Sequence, residues 1–500
     1  MFTHYTFLRN LAFVLFGGLL LVSCKKMVSI KAPVSSLTTE KIFANNQQAN
    51  EAVSGIYLSL ISGTKRISTN LGWDVFSAGL TTLAAGMSAG EFYPYSTASI
   101  GDEYYLSTNA LTFNNTQAPT NIWSSAYKSI YIANSVVEGI EAAASNNFSD
   151  SARKVLMGEA KFLRAFCYFY LTNFFGDVPL SLSTDFNATA LLPRAPQQQV
   201  YEQILQDLLA AEQLLLETYA VSGNRRTRAN KWAAKAFLAR VYLYLKNYEQ
   251  AAAKATEVIN NTSLFQLEPL PENVFKTTSR EAIWQLRQAE GSNSGLFYGD
   301  VPEADEFIPN PPNTSSPWVY ISDELRNAFE PGDLRYSKWT DSTTGILPGM
   351  PVPEKAHRYP AKYTRNPGRL PASVPTQYLM VFRLAEQYLI RAEAIANGAP
   401  GGEPEALKDL KKIRDRANID DLPAGVNVLD AIAKERQTEL FAEWGARWFD
   451  LKRTGKAAAV LSAVTMKNPW LGDYQLLYPI PQIELDKTPF LLQNPGYTQQ

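Results

Sequence analysis

The chain has 500 residues, of which 46% are hydrophobic and 19% charged, so it is long enough to bury a sizeable core. Its 47 Lys and Arg residues balance 48 Asp and Glu residues, which excludes the basic excess typical of nucleic-acid-binding proteins. Two cysteines and two histidines exclude a disulfide framework and a cysteine-rich zinc site.

The first 36 residues have the pattern of an export signal followed by a tether. An apolar run at 11–22 is shorter than the roughly 20 residues that a permanent membrane-spanning helix needs. Ser23 and Cys24 follow it, and Leu21-Val22-Ser23-Cys24 resembles the bacterial lipobox. We therefore predict a lipoprotein signal peptide at 1–23, lipidation of Cys24, and a polar tether at 24–36. An ordinary signal peptide before a chance cysteine is the alternative.

Most of the remaining chain has the apolar periodicity of helices. Helices are predicted at 37–55, from 123 onward, at 152–175, 200–219, 230–245 and 248–259, and in a late pair at 383–397 and 405–417. The pair within 230–259 carries small residues where the helices would cross, a pattern that resembles a tetratricopeptide unit, and the late pair repeats it. The predicted fold class is mostly α, with a tetratricopeptide-like helical-repeat scaffold.

Two regions lack this periodicity. Residues 62–120 are rich in Gly, Ser, Thr and Asn, and are predicted to form long loops. Residues 262–378 are rich in Pro, Trp and Tyr, and are predicted to be a loop-rich insertion with a few short strands, such as 282–286. A loop-rich insertion of this length usually carries function. The folded chain is accordingly divided into an N-terminal helical-repeat region at 37–262 and a C-terminal region at 263–500.

Ordered blocks along the whole chain are similar to the signature of the SusD/RagB family. Among them are Gly158-Glu159-Ala160-Lys161-Phe162-Leu163-Arg164-Ala165-Phe166, Phe175-Gly176-Asp177-Val178-Pro179-Leu180, Ile413-Arg414-Asp415-Arg416-Ala417, Gly445-Ala446-Arg447, Asp450-Leu451-Lys452-Arg453 and Tyr478-Pro479-Ile480-Pro481. The resemblance implies a non-enzymatic lipoprotein, anchored in the outer membrane and facing outward. It also implies that the protein binds a nutrient oligomer and delivers it to a TonB-dependent porin. A glycan is the expected ligand, and a peptide or another oligomer is the alternative.

A secreted serine hydrolase is the first alternative function. Residues 86–90 match the G-x-S-x-G motif with Ser88 as nucleophile, and His357 lies downstream as a candidate base. That motif requires a strand before the serine and a helix after it, and the sequence after residue 90 is not a helix start. A helical-repeat scaffold that binds protein and no small ligand is the second alternative.

Carboxylates on one helical face raise the question of glycoside hydrolysis. Glu439 and Glu443 are spaced so that they would lie on one face of a helix. Arg436 and Arg447 are close enough in sequence to neutralise them, which favours a structural ion-pair cluster. No phosphate-binding Gly-rich loop and no metal-ligand spacing is present in the sequence. We therefore expect no cofactor and no metal.

Aromatic side chains on loops are the candidates for sugar binding, because an exposed ring packs against the C–H face of a pyranose. The candidates are Trp73, Tyr93 and Tyr95 in the first loop region and Trp318, Tyr320 and Trp339 in the second. We expect the last three rings to lie outside the core, because their Pro-rich surroundings have no helical period. The tryptophans of the periodic or signature segments are assigned to the core, namely Trp123, Trp232, Trp284, Trp444 and Trp448.

Overall fold

The computed structural model describes residues 42–62, 74–94, 101–114, 117–288, 300–309, 319–343, 357–365 and 375–497. Its helices, numbered in chain order, are α1 (Asn46–Ile61), α2 (Thr81–Ser88), α3 (Asp102–Thr108), α4 (Gln117–Ala142), α5 (Asp150–Phe175), α6 (Phe186–Thr189), α7 (Gln197–Leu214), α8 (Lys231–Tyr244), α9 (Tyr248–Ile259), α10 (Pro302–Phe307), α11 (Asp323–Ala328), α12 (Leu334–Lys338), α13 (Leu384–Ala396), α14 (Gly402–Ala417), α15 (Val428–Glu439), α16 (Ala446–Arg453), α17 (Ala457–Leu461) and α18 (Gln482–Leu485). A π-helical turn, Phe76–Leu80, leads into α2.

The strands are few and short. They are β1 (Phe92–Pro94), β2 (Val178–Pro179), β3 (Arg194–Ala195), β4 (Ala282–Leu286), β5 (Val319–Ile321), β6 (Thr340–Thr343), β7 (His357–Pro360) and β8 (Leu379–Arg383). They form four antiparallel pairs, β1 with β5, β2 with β3, β4 with β8 and β6 with β7. The predicted fold class, mostly helical with a few short strands, is confirmed. Within the described residues, no helix is both long and apolar enough to cross a membrane.

The long helices stack in pairs. Contacts run from α4 to α5, α7, α8 and α9 in turn, and then from α9 to α13 and α14. At the junction between α9 and α13, Ala251 and Ala255 share an apolar cluster with Ala385 and Leu389. Small side chains at this crossing let the two helices approach closely, as in tetratricopeptide repeats. The late helical pair therefore continues the repeat across the insertion, as predicted, while the domain division at position 262 stays a prediction.

Aromatic rings on α5 form the centre of the main core. The Phe166 ring lies 5.2 Å from Trp284 on β4 and 5.4 Å from Trp444, and Phe162 lies 5.0 Å from Trp284, all in edge-to-face contact. Such contacts add about 0.5–1.5 kcal/mol each beyond the burial of area. The assignment of tryptophans to the core is confirmed for Trp123, Trp284, Trp444 and Trp448, while Trp232 is half-buried.

The first loop region is more helical than predicted. Its described part contains α2 and α3, and α2 is buried on every side. A helix without an exposed face has no amphipathic period, so the periodicity that revealed the other helices was absent here. Gly86 is required in α2, because a Cβ atom there would lie 2.2 Å from the Phe92 ring. The predicted start of the first helix at residue 37 lies outside the described residues, and α1 itself begins at Asn46, capped by the side chain of Asn45.

Candidate ligand-binding surface

Two short strands bring the two loop regions together. In the antiparallel pair of β1 with β5, Tyr93 lies directly opposite Tyr320. In both strands the two flanking side chains are buried and the central tyrosine is half-buried, which is the alternation that a strand requires. The backbone N–H of Ser322 donates to the carbonyl of Glu91 and extends the pairing by one residue. Both tyrosines therefore lie on the half-exposed face of one ribbon.

The rings of Tyr93 and Tyr320 contact each other edge to face. Their centroids are 6.0 Å apart and their planes make an angle of 68°, a geometry that aromatic pairs prefer. The Tyr93 hydroxyl donates a 2.9 Å hydrogen bond to Oε2 of Glu324. Partial burial, followed by the charge of Glu324, raises the pKa of the Tyr93 hydroxyl. The phenol is therefore protonated and remains a donor at neutral pH.

Glu324 is held by the start of α11. Ser322 caps this helix, because its Oγ accepts a 3.0 Å hydrogen bond from the backbone N–H of Leu325. Glu324 is in the first turn, where a carboxylate is favoured by the helix dipole, and its side chain is exposed. The strand and the helix that follows it thus direct a ring and a carboxylate to the same surface.

His357 lies next to Tyr320. It is the first residue of β7, opposite Thr343 on β6, and its ring centroid is 5.0 Å from that of Tyr320. Partial burial lowers the pKa of the His357 imidazole, so the ring is neutral at pH 7. We call Tyr93, Tyr320 and His357, with Glu324 beside them, the aromatic row.

The aromatic row has the chemistry of a carbohydrate-binding surface. Half-exposed rings offer apolar faces against which the C–H groups of a sugar pack. The phenol, the imidazole and the Glu324 carboxylate offer the donors and acceptors that sugar hydroxyl groups need. Neither His357 nor Glu324 was among the residues predicted from the sequence to bind a ligand. The pattern of a tyrosine between two apolar residues, in both strands, was the available signal for this surface.

Trp339 is not part of the aromatic row, and its predicted position outside the core is wrong. It is 1% exposed, and its Nε1 donates a 2.9 Å hydrogen bond to the carbonyl of Pro271. Its ring packs at 5.7 Å against Phe275, with Nζ of Lys362 at 4.5 Å from the ring centroid. Trp339 directly follows α12 and precedes β6, so the chain turns inward at this residue. A buried turn of this kind has no helical period, and its sequence is therefore indistinguishable from that of an exposed loop.

Several predicted site residues lie outside the described residues. These are the lipidation site Cys24 and the candidate rings Trp73, Tyr95 and Trp318. Tyr95 follows β1 directly and Trp318 precedes β5 directly, so in sequence both adjoin the paired tyrosines. Their roles in lipidation and in ligand binding stay predictions.

The structure contradicts the arrangement required by the serine hydrolase alternative. Ser88 is the last residue of helix α2, not the residue after a strand, and it is 1% exposed. Its Oγ lies 2.8 Å from the hydroxyl of Tyr478. The ring of His357 makes a tilted contact with Tyr320 and forms no hydrogen bond with the serine. Across the part of the chain that the structure describes, no group of three or more His, Cys, Asp or Glu residues could hold a metal ion.

The pair Glu439 and Glu443 belongs to a buried ion-pair network, as predicted, although its partners differ from those expected. Glu439 receives hydrogen bonds from Arg383 at 2.5 Å, from Arg335 at 3.0 Å and from Arg416. Glu443 is bound by Arg383 and by Lys362. Burial alone would raise the pKa of Glu439, but the three guanidinium groups hold it well below its ordinary value. A carboxylate held ionised in this way cannot serve as the proton donor of a glycosidase.

The two arginines expected to neutralise these carboxylates have other environments. Arg436 pairs with Asp450 at 2.6 Å. Arg447 forms no hydrogen bond or ion pair with any residue whose position is described. The positive charge beside Glu439 and Glu443 comes instead from arginines on β8, α12 and α14 and from Lys362.

Both halves of the chain match models of one protein family. Residues 88–243, which include α4, α5 and α7, match a SusD-like model described as "Starch-binding associating with outer membrane". Residues 337–497, which include the late helical pair, match the SusD family model. The chain belongs to the SusD/RagB family. The SusD/RagB matches thus cover the helical repeat on both sides of the insertion.

Relatives resemble the chain over most of its length. The SusD-like protein P2 of Formosa agariphila is 27% identical over 96% of this chain and 98% of its own. The starch-binding protein SusD of Bacteroides thetaiotaomicron is 24% identical over 68% of this chain and 72% of its own. A solved laminarin-binding SusD-like protein is 26% identical, with a TM-score of 0.72 over 91% of this chain and 100% of its own. Surface glycan-binding protein A from Bacteroides fluxus, 23% identical over the same shares of the two chains, has the same fold with a TM-score of 0.73.

Proposed function

We propose that this SusD/RagB protein is a lipid-anchored glycan-binding protein of the outer membrane, and that the aromatic row is part of its glycan-binding surface. The single observation that carries the proposal is the pairing of Tyr93 with Tyr320 across β1 and β5, with the ring of His357 in contact with Tyr320. Three adjacent half-buried rings next to an exposed carboxylate suit a sugar better than they suit a purely apolar ligand, because an apolar ligand has no hydroxyl groups to bond with the free acceptor sites of Glu324.

The relatives support a carbohydrate as the ligand class. One solved relative binds laminarin and another is a surface glycan-binding protein, while a third relative is a starch-binding protein. Identities of 23–26% are too low to transfer one particular sugar to this chain. Laminarin and starch are accordingly the first two glycans to test, and other polysaccharides complete the panel.

The proposed route of the ligand ends at a membrane transporter. Lipidation of Cys24 would hold the chain at the membrane, because three acyl chains bury enough CH₂ groups for stable anchoring. A helical-repeat face is a common docking surface for another protein. We propose that a TonB-dependent porin is this partner and receives the glycan. Copurification of the native protein in several mild detergents tests this part, and a chain that always migrates alone would contradict it.

Affinity electrophoresis of the purified protein tests the ligand class. Gels that contain laminarin, starch or another polysaccharide should retard the protein, whereas a gel without polysaccharide should not. An excess of the free oligosaccharide should restore normal migration. If no polysaccharide retards the protein and a peptide mixture binds to it, the glycan assignment is wrong. Binding of a partner protein in the absence of any small ligand would favour the scaffold alternative.

A further inference from the structure

A second cavity lies far along the chain from the strands of the aromatic row. It has a volume of about 200 Å³ and lies between the turn that joins α8 to α9 and the helices α13, α15 and α16. None of its lining residues belongs to β1, β5, β7 or α11, so it is separate from the aromatic row. Leu243, Leu429 and Ile432 give it an apolar wall, and exposed Lys246 lies at its rim.

Arg436 lines this cavity and has a buried donor without a hydrogen-bond partner among the described residues. The Arg436 side chain is 4% exposed, and its Nε and Nη2 atoms donate to the Asp450 carboxylate at 2.6 Å and 3.1 Å. Its Nη1 atom is buried and has no hydrogen-bond partner among the described residues. A buried guanidinium N–H without an acceptor is costly, so a structure that retains one has either an unseen acceptor or a use for the site.

Arg447 adds a charge that no described residue neutralises through a hydrogen bond or ion pair. The buried Glu91 carboxyl acts on it electrostatically, but burial raises the pKa of Glu91 to about 8, so this group is largely protonated at pH 7. Arg447 lines the same cavity, is half-buried, and makes no ion pair with any described residue. The two acids of the cavity, Asp450 and Glu393, are already engaged. Arg453 binds Glu393 through both terminal nitrogens, at 2.5 Å and 2.7 Å, and contributes a further hydrogen bond to Asp450. The cavity therefore has positive charge and donors in excess of its own acceptors.

We propose that this cavity binds a small carboxylate that carries a short apolar chain, with the carboxylate held by Arg447 and by Nη1 of Arg436. A carboxylate supplies two acceptor oxygens in the plane that guanidinium donors prefer. The apolar wall distinguishes this ligand from inorganic sulfate or phosphate, neither of which would cover Leu243 or Ile432. A bulky sugar anion does not fit a volume of this size, because ligand pockets for larger molecules measure about 300–1,000 Å³.

Thermal melting of the full chain in sodium butyrate tests the proposal. Butyrate should raise the melting temperature in a saturable way by roughly 1–3 °C at about ten times its Kd, relative to sodium chloride at equal ionic strength. Acetate, which has the carboxylate but only a methyl group, should require higher concentrations. Arg447→Met should weaken butyrate binding at least about tenfold, as expected when a charge-assisted hydrogen bond is lost. Lys408→Met, on the exposed face of α14, is the matched control and should bind butyrate like the wild type.

The other outcomes would overturn the proposal. If butyrate and chloride give equal melting temperatures, the cavity holds only water, which then satisfies the Arg436 donor. Equal butyrate shifts in the wild type and in Arg447→Met would show that the anion binds elsewhere. Equal shifts from sulfate and butyrate would contradict the apolar part of the site. The melt of each variant in chloride shows whether it is folded, so a loss of binding is not confused with a loss of structure.

Discussion

Tyr93 and Tyr320 face each other in register across β1 and β5, with their ring centroids 6.0 Å apart, although one comes from each of the two loop regions. Their contact joins the first loop region to the insertion and creates a half-exposed aromatic surface. The interior below them is closed by buried Phe92 and Ile321 on the opposite face of the same strands. The proposed glycan site is therefore built on paired strands that are anchored in the core.

Trp339→Ala should destabilise the fold. Its ring is buried and its Nε1 is hydrogen-bonded, so truncation leaves a cavity and an unsatisfied carbonyl at Pro271. We expect a loss of about 3–5 kcal/mol in the free energy of unfolding. Denaturant unfolding measures it, and Tyr131→Ala, whose ring is 58% exposed on α4, is the control that should change little. A normal unfolding curve for Trp339→Ala would show that the ring is not a core residue.

Glu439→Gln should also destabilise the fold, for an electrostatic reason. The substitution removes a negative charge that accepts hydrogen bonds from Arg335, Arg383 and Arg416 in the interior. Breaking a buried ion pair by removing one partner typically costs about 3–5 kcal/mol. Glu405→Gln, on the exposed face of α14, is the matched control, because exposed pairs such as Glu405 with Lys408 contribute less than about 1 kcal/mol. Equal unfolding free energies for the two variants would contradict a structural role of Glu439.

Glu303 should make stability depend on pH. Burial raises the pKa of Glu303 to about 8, and the Thr82 hydroxyl donates to its Oε1 at 3.3 Å. Between pH 5 and 8 the folded chain holds this proton and the unfolded chain does not. Stability should therefore fall as the pH rises through this window, by up to about 1.4 kcal/mol per pH unit. Glu303→Gln mimics the protonated form and should remove this contribution.

Thermal melting of the wild type and of Glu303→Gln between pH 5 and pH 8 measures this effect. Comparing the two proteins separates the contribution of Glu303 from that of other titratable groups. Buried Glu91, whose pKa burial also raises to about 8, contributes to the pH slope of both proteins equally. The difference in stability between Glu303→Gln and the wild type should therefore grow from pH 5 to pH 8 in favour of the variant. Parallel pH profiles would show that Glu303 is ionised in the folded chain.

Cys24→Ala should release the protein from membranes. In the described residues no helix could span a membrane, and the predicted anchor is the lipid on Cys24. Fractionation of cells that express the wild type or the variant measures the change, and Cys167→Ala, which alters a thiol buried in α5, is the control. A Cys24→Ala protein that still sediments with membranes would contradict the lipid anchor.

Much of the helical repeat was predictable from the sequence because helices such as α4, α7 and α9 keep an exposed face, which gives their apolar residues a helical period. The helix Tyr248–Ile259 agrees with the predicted bounds, and α8 and α13 agree within one residue at each end. α2 was missed because all of its side chains are buried, so neither its periodicity nor its polarity distinguished it from a loop. The strand β8 was missed because all of its residues are buried and the buried residues of α13 follow it directly, so no change of pattern marks where the strand ends and the helix begins.

The candidate surface was predictable in part. The two loop regions were identified, but a single sequence contains no information on which tyrosine pairs with which, since pairing between distant strands depends on the whole fold. His357 was considered only as a catalytic base, because its neighbour in space, Tyr320, is distant in sequence. Trp339 was misassigned because burial at a turn leaves no periodic pattern.

Isothermal titration calorimetry tests the central claim most directly, with the polysaccharide or oligosaccharide that retards the protein in affinity electrophoresis. The account predicts that Tyr93→Ala and Tyr320→Ala each weaken binding by about 0.5–1.5 kcal/mol, which is roughly 2- to 13-fold in Kd, and that the double variant weakens it further. Tyr131→Ala, an equally drastic change on the exposed face of α4, should leave Kd unchanged. Wild-type affinity in the folded double variant would contradict the account, because the glycan would then bind outside the aromatic row.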